Sequence, residues 1–292
     1  FPYTTLFRSV ILPAIIPPTG GAVRYSRLSI HACLLLAMLL SPIQVRAQRS
    51  LAPSSPSGQT ATPVFEGWYR NPDGTFSLSF GYFNRNGSER LEIPVGDSNF
   101  VSPGNRNQGQ PTHFAPDRHW GVFAVVVPAD FGTRKVVWSL TVRGTTVAVP
   151  GSLAADWEID ALQGEASSDN TPPVVRIGTT GVEARGPLGA TTGPLTVAAG
   201  KPLSLSVVAT DDGKSKGAVD LTWFKHQGPG DVSFATPTHR LSPTGGSATT
   251  AATFSRPGEY LVRVRANDLS PMTAGHAQCC WTNAFVKVTV TP

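Results

Sequence analysis

The stretch TFSLSFGYF, residues 75–83, alternates large apolar residues with small ones. The large residues fall on one face of an extended chain, namely Phe76, Leu78, Phe80 and Tyr82. The preceding NPDG (71–74) favours a tight turn because proline presets φ and glycine accepts positive φ. FEGWYR (65–70) comes before that turn. The sequence therefore predicts a β-hairpin.

Strand patterns continue through the first half of the chain. GVFAVVV (121–127) is a continuous apolar run, which predicts a strand buried on both faces. KVVWSLTVR (135–143) alternates again, and ERLEIPV (89–95) predicts a further strand before a polar loop over 96–111. About six or seven strands with frequent turn signals indicate one sandwich over residues 63–163. LAADWEIDAL (153–162) fits a short helical turn or an extended tail that packs its apolar residues.

A small, polar, proline-terminated segment, GEASSDNTPP (164–173), predicts a linker. Further strand patterns follow it, namely PLTVAAG, KPLSLSVVATD, AVDLTWFKHQ, ATTAATFS, GEYLVRVRAND and TNAFVKVTVTP. In GEYLVRVRAND, Tyr260, Val262 and Val264 share one face, while Arg263 and Arg265 share the other. The predicted fold class is all-β, with two tandem antiparallel β-sandwich domains over 63–163 and 174–292.

Residues 24–47 have the three parts of a secretory signal peptide. Arg24 and Arg27 supply a positive start, ACLLLAMLL (32–40) is apolar, and VRA (45–47) ends in a small-x-small pattern. A buried core helix is the competing interpretation. The Ser/Pro/Gln-rich residues 48–62 predict a disordered linker. We therefore expect an exported mature chain without a transmembrane anchor, located in the periplasm, on the cell surface or in the medium.

Residues 1–23 do not fit that pattern. FPYTTLFRS (1–9) resembles the translation of a common sequencing adapter, so we expect residues 1–23 to be an artefactual or untranslated extension. The net charge of +5 is concentrated near this end, because residues 1–47 hold four arginines and no acids. The rest of the chain carries 20 basic and 19 acidic residues. This balance gives no support for nucleic-acid binding, which needs a clustered basic surface.

The second half resembles the PKD and related immunoglobulin-like sandwiches of bacterial surface proteins. The resemblance rests on TPPVV (171–175), VVATDDG (207–213), LTWFK (221–225), PGEYLVRVRANDLS (257–270) and VKVTVTP (286–292). It implies an immunoglobulin-like β-sandwich. WFKHQGPG (223–230) departs from the W-D-F-G-D-like turn of PKD repeats, so another immunoglobulin-like subclass stays open. The first half resembles exported bacterial proteins without an assigned activity.

Two groups of residues are candidates for a disulfide bond or a metal site. Cys279 and Cys280 are adjacent, and three interpretations compete: a vicinal disulfide, two free buried thiols, or a metal or redox role. Asp211, Asp212 and Asp268 follow two strands whose ends can share one pole of a sandwich, which fits a calcium site. Asn267 and Asp220 could add ligands to this set. The alternative is that these aspartates are turn formers.

The segment PTHFAPDRHW (111–120) places His113, Asp117 and His119 close together. Their spacing matches no standard metal motif, so loop polarity or capping is the favoured interpretation. Trp68, Tyr69, Tyr82, Phe83 and Trp120 could form an exposed platform that stacks on a sugar or peptide. Membership of the core is the alternative, and Phe83 is expected to be the most exposed ring.

No nucleophile motif of the G-x-S-x-G type accompanies a histidine and an acid. Glu66 and Glu92 are lone acids, whereas glycoside hydrolysis needs a facing pair. We therefore expect a non-enzymatic, exported binding or structural module whose partner is a glycan or an envelope protein. The alternatives are a polysaccharide-binding accessory domain or a fragment of a carbohydrate-active enzyme, and an enzyme whose site is assembled from distant loops.

Overall fold

The computed structural model describes residues 55–160, 162, 164, 169–215, 217–268 and 280–292. Residues Ala52–Pro292 form one compact unit. The predicted extension and signal peptide lie outside the described residues. No helix in the described ranges has the length and apolar character needed to cross a membrane.

Eight strands and one short 3₁₀ helix lie in residues 55–160, the continuous described part of the first half. They are β1 Ala61–Arg70, β2 Phe76–Asn84, β3 Leu91–Glu92, β4 Asn99–Ser102, β5 His113–Phe114, β6 Asp117–Val127, β7 Val136–Val142, β8 Thr145–Gly151 and the helix Ala155–Trp157. The sheets are ordered β1-β2-β6 and β4-β7-β8, with β3 paired to β5. The hairpin of β1 and β2 is confirmed, with antiparallel pairing from Arg70–Phe76 to Ala61–Asn84.

Trp138 lies at the centre of the first core. Its fully buried ring meets Phe80 and Phe123 edge to face and stacks on Phe114. The inward parity predicted for β7 is confirmed, because all four of its alternate large residues are buried. Alternation places these side chains on one face, and burial of that face drives the two sheets together.

Several local predictions are wrong in the first half. Val126 is 48% exposed, so β6 is not buried on both faces along its whole length. ERLEIPV forms only the two-residue β3, and the predicted loop over 96–111 contains β4. Strand β1 begins at Ala61, within the linker predicted over 48–62, and just before it Gly58 N donates to Glu89 while Gln59 N donates to the buried Asn86 side chain.

Ten strands lie in the described residues of the second half, 169–215, 217–268 and 280–292. They are β9 Val174–Ile177, β10 Glu183–Ala184, β11 Ala190–Ala198, β12 Pro202–Thr210, β13 Asp220–Gln227, β14 Val232–Phe234, β15 Thr238–Arg240, β16 Gly245–Phe254, β17 Gly258–Asn267 and β18 Trp281–Thr291. Two five-stranded sheets face each other, ordered β10-β9-β12-β16-β14 and β11-β18-β17-β13-β15. One pair departs from the predicted antiparallel pattern, since β11 runs parallel to β18.

The two faces of β17 explain how the halves meet. Tyr260, Val262 and Val264 are buried in the second core, as the alternation predicts. The opposite face is covered at its middle, because Arg263 is only 2% exposed and its guanidinium lies 3.5 Å from the carbonyl of Val122 on β6. The sheet containing β17 therefore packs its outer face against the first sandwich.

Candidate binding site

Two β-bulges shape the first sandwich where it meets the second. Pairing between β1 and β2 shifts register between Phe65 and Gly67, and this shift leaves Glu66 as the extra residue. Pairing between β2 and β6 shifts between Phe80 and Tyr82, opposite the segment that contains Gly121. Bulges re-aim side chains and interrupt the regular ladder. Here they bring Glu66 and Gly121 into direct contact.

Glu66 is a buried carboxylate with a full set of partners. It is 3% exposed and accepts hydrogen bonds from Arg118 Nη2 at 2.6 Å and from the Gly121 backbone N–H. Burial raises the pKa of Glu66 to about 7, although Arg118 acts to lower it. Removal from water disfavours the charged carboxylate, and the nearby guanidinium recovers only part of that cost.

Arg263 is the corresponding buried cation of the second sandwich. Its Nη1 lies 3.5 Å from Val122 O and 3.4 Å from Asn283 Oδ1, both longer than a usual N–H···O bond. Its guanidinium sits 4.5 Å from the centre of the Phe224 ring, and Arg265 lies 5.6 Å from the same ring. Burial, together with the neighbouring Arg265, lowers the pKa of Arg263 to about 9.

Direct hydrogen bonds tie the sandwiches together along the junction. Asn283 Nδ2 donates to Gly121 O, and Leu188 N donates to Tyr69 Oη at 2.8 Å. Further along, Thr112 N donates to His226 O at 2.9 Å, and Gln227 Nε2 donates to Gln110 O at 2.6 Å. Because these bonds come from several strands and loops, the junction is fixed at several points.

A charged triad closes one end of the junction. Lys225 is buried, and its Nζ donates to Glu92 Oε2 at 2.9 Å, while His113 Nδ1 lies 2.5 Å from Glu92 Oε1. Burial acts to raise the pKa of Glu92, but the bonds from His113 and Lys225 hold it below its usual range. Next to this triad, His226 Nε2 bonds to Gly109 O at 2.7 Å, and burial lowers its pKa to about 3.

A cavity of about 320 Å³ lies between the sandwiches beside these groups. Tyr82, Trp223 and Phe224 supply aromatic walls, and Lys225 and Arg263 supply cationic groups. A second cavity of about 460 Å³ shares Lys225 and Asp231 with the first and is lined mainly by loop residues, including Pro229 and Arg256. The two adjoining cavities form the candidate binding site.

The predicted aromatic platform is not assembled. Trp68 and Tyr69 are buried, since the core covers β1 on one side and the second sandwich covers it on the other. Trp68 Nε1 donates to Ala154 O rather than to solvent. Phe83 is 42% exposed, as expected, while Trp120 is half-buried against Arg118. Sequence alternation could not show that a second sandwich would cover this surface.

The predicted calcium ligands each have another partner. Asn170 Nδ2 donates to Asp268 Oδ2, Thr171 donates twice to Asp212 Oδ2, and Gly213 N donates to Asp211 Oδ2. No group of three or more His, Cys, Asp or Glu side chains in the described ranges could hold a metal ion. Calcium binding stays a prediction that thermal melts with excess Ca²⁺ and with a chelator will test. Equal midpoints would contradict it, because a ligand of the folded state alone raises stability.

The other candidates occupy separate surroundings. His119 stacks on Tyr82, its Nε2 lies 2.9 Å from Pro116 O, and burial lowers its pKa to about 4. His113 bonds to Glu92 and Asp117 is exposed, so these three residues do not converge on one point. Cys280 is buried and disulfide-bonded. Cys279 lies outside the described residues, and the vicinal pairing stays a prediction.

Sequence reasoning missed most of the junction. Arg263 and Arg265 interrupt an otherwise apolar strand, which is the one signal that could have indicated a covered polar face. Glu66 stood out only as a lone acid beside aromatic residues. Arg118 and Asn283 carried no signal, because their roles depend on contacts between distant parts of the chain.

No protein-family model matches this chain, and no curated protein sequence matches it. Solved structures give weak likenesses. Domains 4 and 5 of the S-layer protein SbsC share 12% identity over 59% of this chain and 71% of that one, with a TM-score of 0.25. The D00-D0 domain of intimin shares 12% identity over 80% of this chain and 100% of that one, with a TM-score of 0.27.

The fimbrial subunit AggA from Escherichia coli shares 16% identity over 41% of this chain and 97% of that one, with a TM-score of 0.22. These TM-scores are too low to support an argument about the fold. The fold is established by the sheets of this chain. Those sheets show an all-β protein built of two sandwiches.

Proposed function

We propose that the chain is an exported, non-enzymatic structural module in which two sandwiches act as one rigid body. The observation that supports this most strongly is the buried polar junction. Glu66 and Arg263 lose their water there, and Asn283 connects the two halves by donating to Gly121 O. Opening the junction would break these bonds, whereas an ordinary linker between independent domains involves few such contacts.

The proposal that the two sandwiches form one rigid body can be tested by comparing how each half aligns in a weakly ordered medium. Residual dipolar couplings from β2 and β7 on one side, and from β12 and β17 on the other, should fit one alignment tensor. Asn283→Ala removes the bonds to Gly121 and Pro187, so it should loosen that agreement. Asn105→Ala, in an exposed loop, is the control. Two different tensors for the unmodified protein would contradict the proposal.

Export and domain division belong to the same proposal. A signal peptide over 24–47 puts the mature chain in the periplasm, on the cell surface or in the medium of a bacterium. The linker at 164–173 separates sandwich domains at 63–163 and 174–292, the second of the PKD or a related immunoglobulin-like subclass. N-terminal sequencing of the exported protein should give Gln48 first, and retention of residues 24–47 would contradict cleavage at that point.

Binding of a polysaccharide is the second candidate function, and the pair of adjoining cavities favours it. Ligand sites often lie at domain interfaces, in clefts of roughly 300–1,000 Å³. The two cavities, at about 320 and 460 Å³, fall in that range and are lined by residues of both sandwiches. Titration with a panel of neutral and acidic glycans tests this function, and the absence of any binding would contradict it.

A further inference from the structure

We propose that the inner cavity at the junction binds the carboxylate of an acidic sugar residue, held by Arg263. The inference rests on the second candidate function above, because it names the ligand class of that site. Three observations support it: the charge of the inner lining, the unused donors of Arg263, and the polar walls of the outer cavity.

The inner cavity has a cationic lining. Arg90, Lys225 and Arg263 contribute side chains, while Asp231 is the one acid among its lining residues, all of which lie in the described ranges. Glu92 neutralises Lys225 at 2.9 Å but lines the outer cavity rather than the inner one. Arg263 forms no ion pair with any described residue. A carboxylate in this cavity would therefore meet a positive potential.

Arg263 has hydrogen-bond donors left over. Its Nε finds no partner within the described part of the chain, and its two Nη1 contacts exceed 3.3 Å. A buried, incompletely paired cation is costly, and burial already lowers the pKa of Arg263 to about 9. The planar guanidinium fork matches a carboxylate with two parallel N–H···O bonds. A bound carboxylate would supply the missing partners.

The outer cavity suits the neutral, hydroxyl-rich part of a saccharide. Thr112 and Gln227 can donate and accept hydrogen bonds, and Glu92, Asp231 and Glu259 can accept them from hydroxyl groups. Lys225 and Arg256 line the same cavity, so its charges nearly balance and it can take a further sugar residue whether or not that residue is acidic. The arrangement therefore favours a chain in which one acidic residue enters the inner cavity and its neighbours lie in the outer one.

Isothermal titration with three probes tests this assignment. Tri-galacturonate supplies acidic sugar residues, maltotriose is a neutral trisaccharide, and triglycine supplies a carboxylate without a sugar. We expect the unmodified protein to bind tri-galacturonate at least about tenfold more tightly than either other probe, because only tri-galacturonate offers both a carboxylate to Arg263 and sugar hydroxyl groups to the outer cavity.

Three substitutions test whether tri-galacturonate binds in the inner cavity. Arg263→Met keeps an apolar side chain of similar length and should weaken tri-galacturonate binding at least about tenfold. Arg90→Gln changes an exposed residue of the inner lining and should weaken it several-fold without affecting the fold. Arg134→Met, at an exposed arginine outside both cavities, should leave the affinity unchanged. Circular dichroism checks that each variant is folded.

The outcomes separate the inference from the function on which it rests. Equal binding of maltotriose would overturn the acidic assignment and leave polysaccharide binding intact. Equal binding of triglycine would overturn the sugar assignment in favour of a peptide carboxylate. Unchanged affinity in folded Arg263→Met or in Arg90→Gln would overturn the location. No binding of any probe would overturn both the inference and the second candidate function.

Discussion

Glu66 shows, at the scale of a single residue, how burial changes the chemistry of a carboxyl group. Its pKa rises from 4.5 to about 7 because burial removes water from it. Between those values the folded protein binds more protons than the unfolded chain. The contribution of Glu66 to the free energy of unfolding is therefore largest below pH 4.5 and falls as the pH rises through 7.

The fall of this contribution with rising pH gives a testable prediction. Glu66→Gln cannot titrate, so its free energy of unfolding relative to the unmodified protein should increase between pH 5 and 7. The increase should approach about 1.4 kcal/mol per pH unit. His119 and His226, whose lowered pKa values make stability fall as the medium is acidified below pH 6.5, are common to both proteins and cancel. Urea unfolding at several pH values measures the difference, and a constant difference would contradict the account.

Gly121 provides a second prediction at this scale. It has a φ of +49°, and an added Cβ would overlap the indole of Trp281 across the junction. Gly144 also has positive φ, at +76°, but a Cβ there meets nothing within 4 Å. Gly121→Ala should therefore lower the free energy of unfolding by about 2–4 kcal/mol, and Gly144→Ala by about 1 kcal/mol. Equal losses in urea unfolding would mean that Trp281 does not pack against Gly121.

Individual strands could be predicted from the sequence where the apolar residues of one face were enough to show which side chains are buried. The β1–β2 hairpin and β7 follow from local alternation and a turn sequence, so their prediction needed no knowledge of distant contacts. The covered face of β17 was not predictable, because alternation identifies two faces but does not show what packs on each. β4 was missed because its pairing depends on a buried polar side chain rather than on apolar periodicity.

The buried polar side chain of β4 is Asn99, and its contacts give a prediction about this strand. Its Nδ2 donates to Ile93 O and Pro111 O, and its Oδ1 accepts from Trp138 Nε1. Asn99→Ala would leave all three buried groups without that partner, so we expect a loss of about 2–4 kcal/mol. Asn105→Ala, in the exposed loop that follows β4, should change stability by less than about 1 kcal/mol. Similar losses in urea unfolding would contradict this role for Asn99.

At the scale of the whole molecule, the two hydrophobic cores can each be predicted from the sequence. The junction between the two sandwiches cannot. Composition and strand patterns indicated two sandwiches, and the described residues form two separate sets of sheets. The candidate site lies between these sets, where Arg263, Lys225 and Tyr82 approach from different parts of the chain. Its position could not be predicted, because it depends on how two folded surfaces fit together.

Scanning calorimetry of the purified protein tests the central claim, that the junction makes the two sandwiches one rigid body. We predict a single transition whose calorimetric and van't Hoff enthalpies agree, because neither half can unfold without exposing Glu66 and Arg263. Gly121→Ala should lower the midpoint and begin to separate the unfolding of the two halves. Two well-separated transitions in the unmodified protein would contradict the claim.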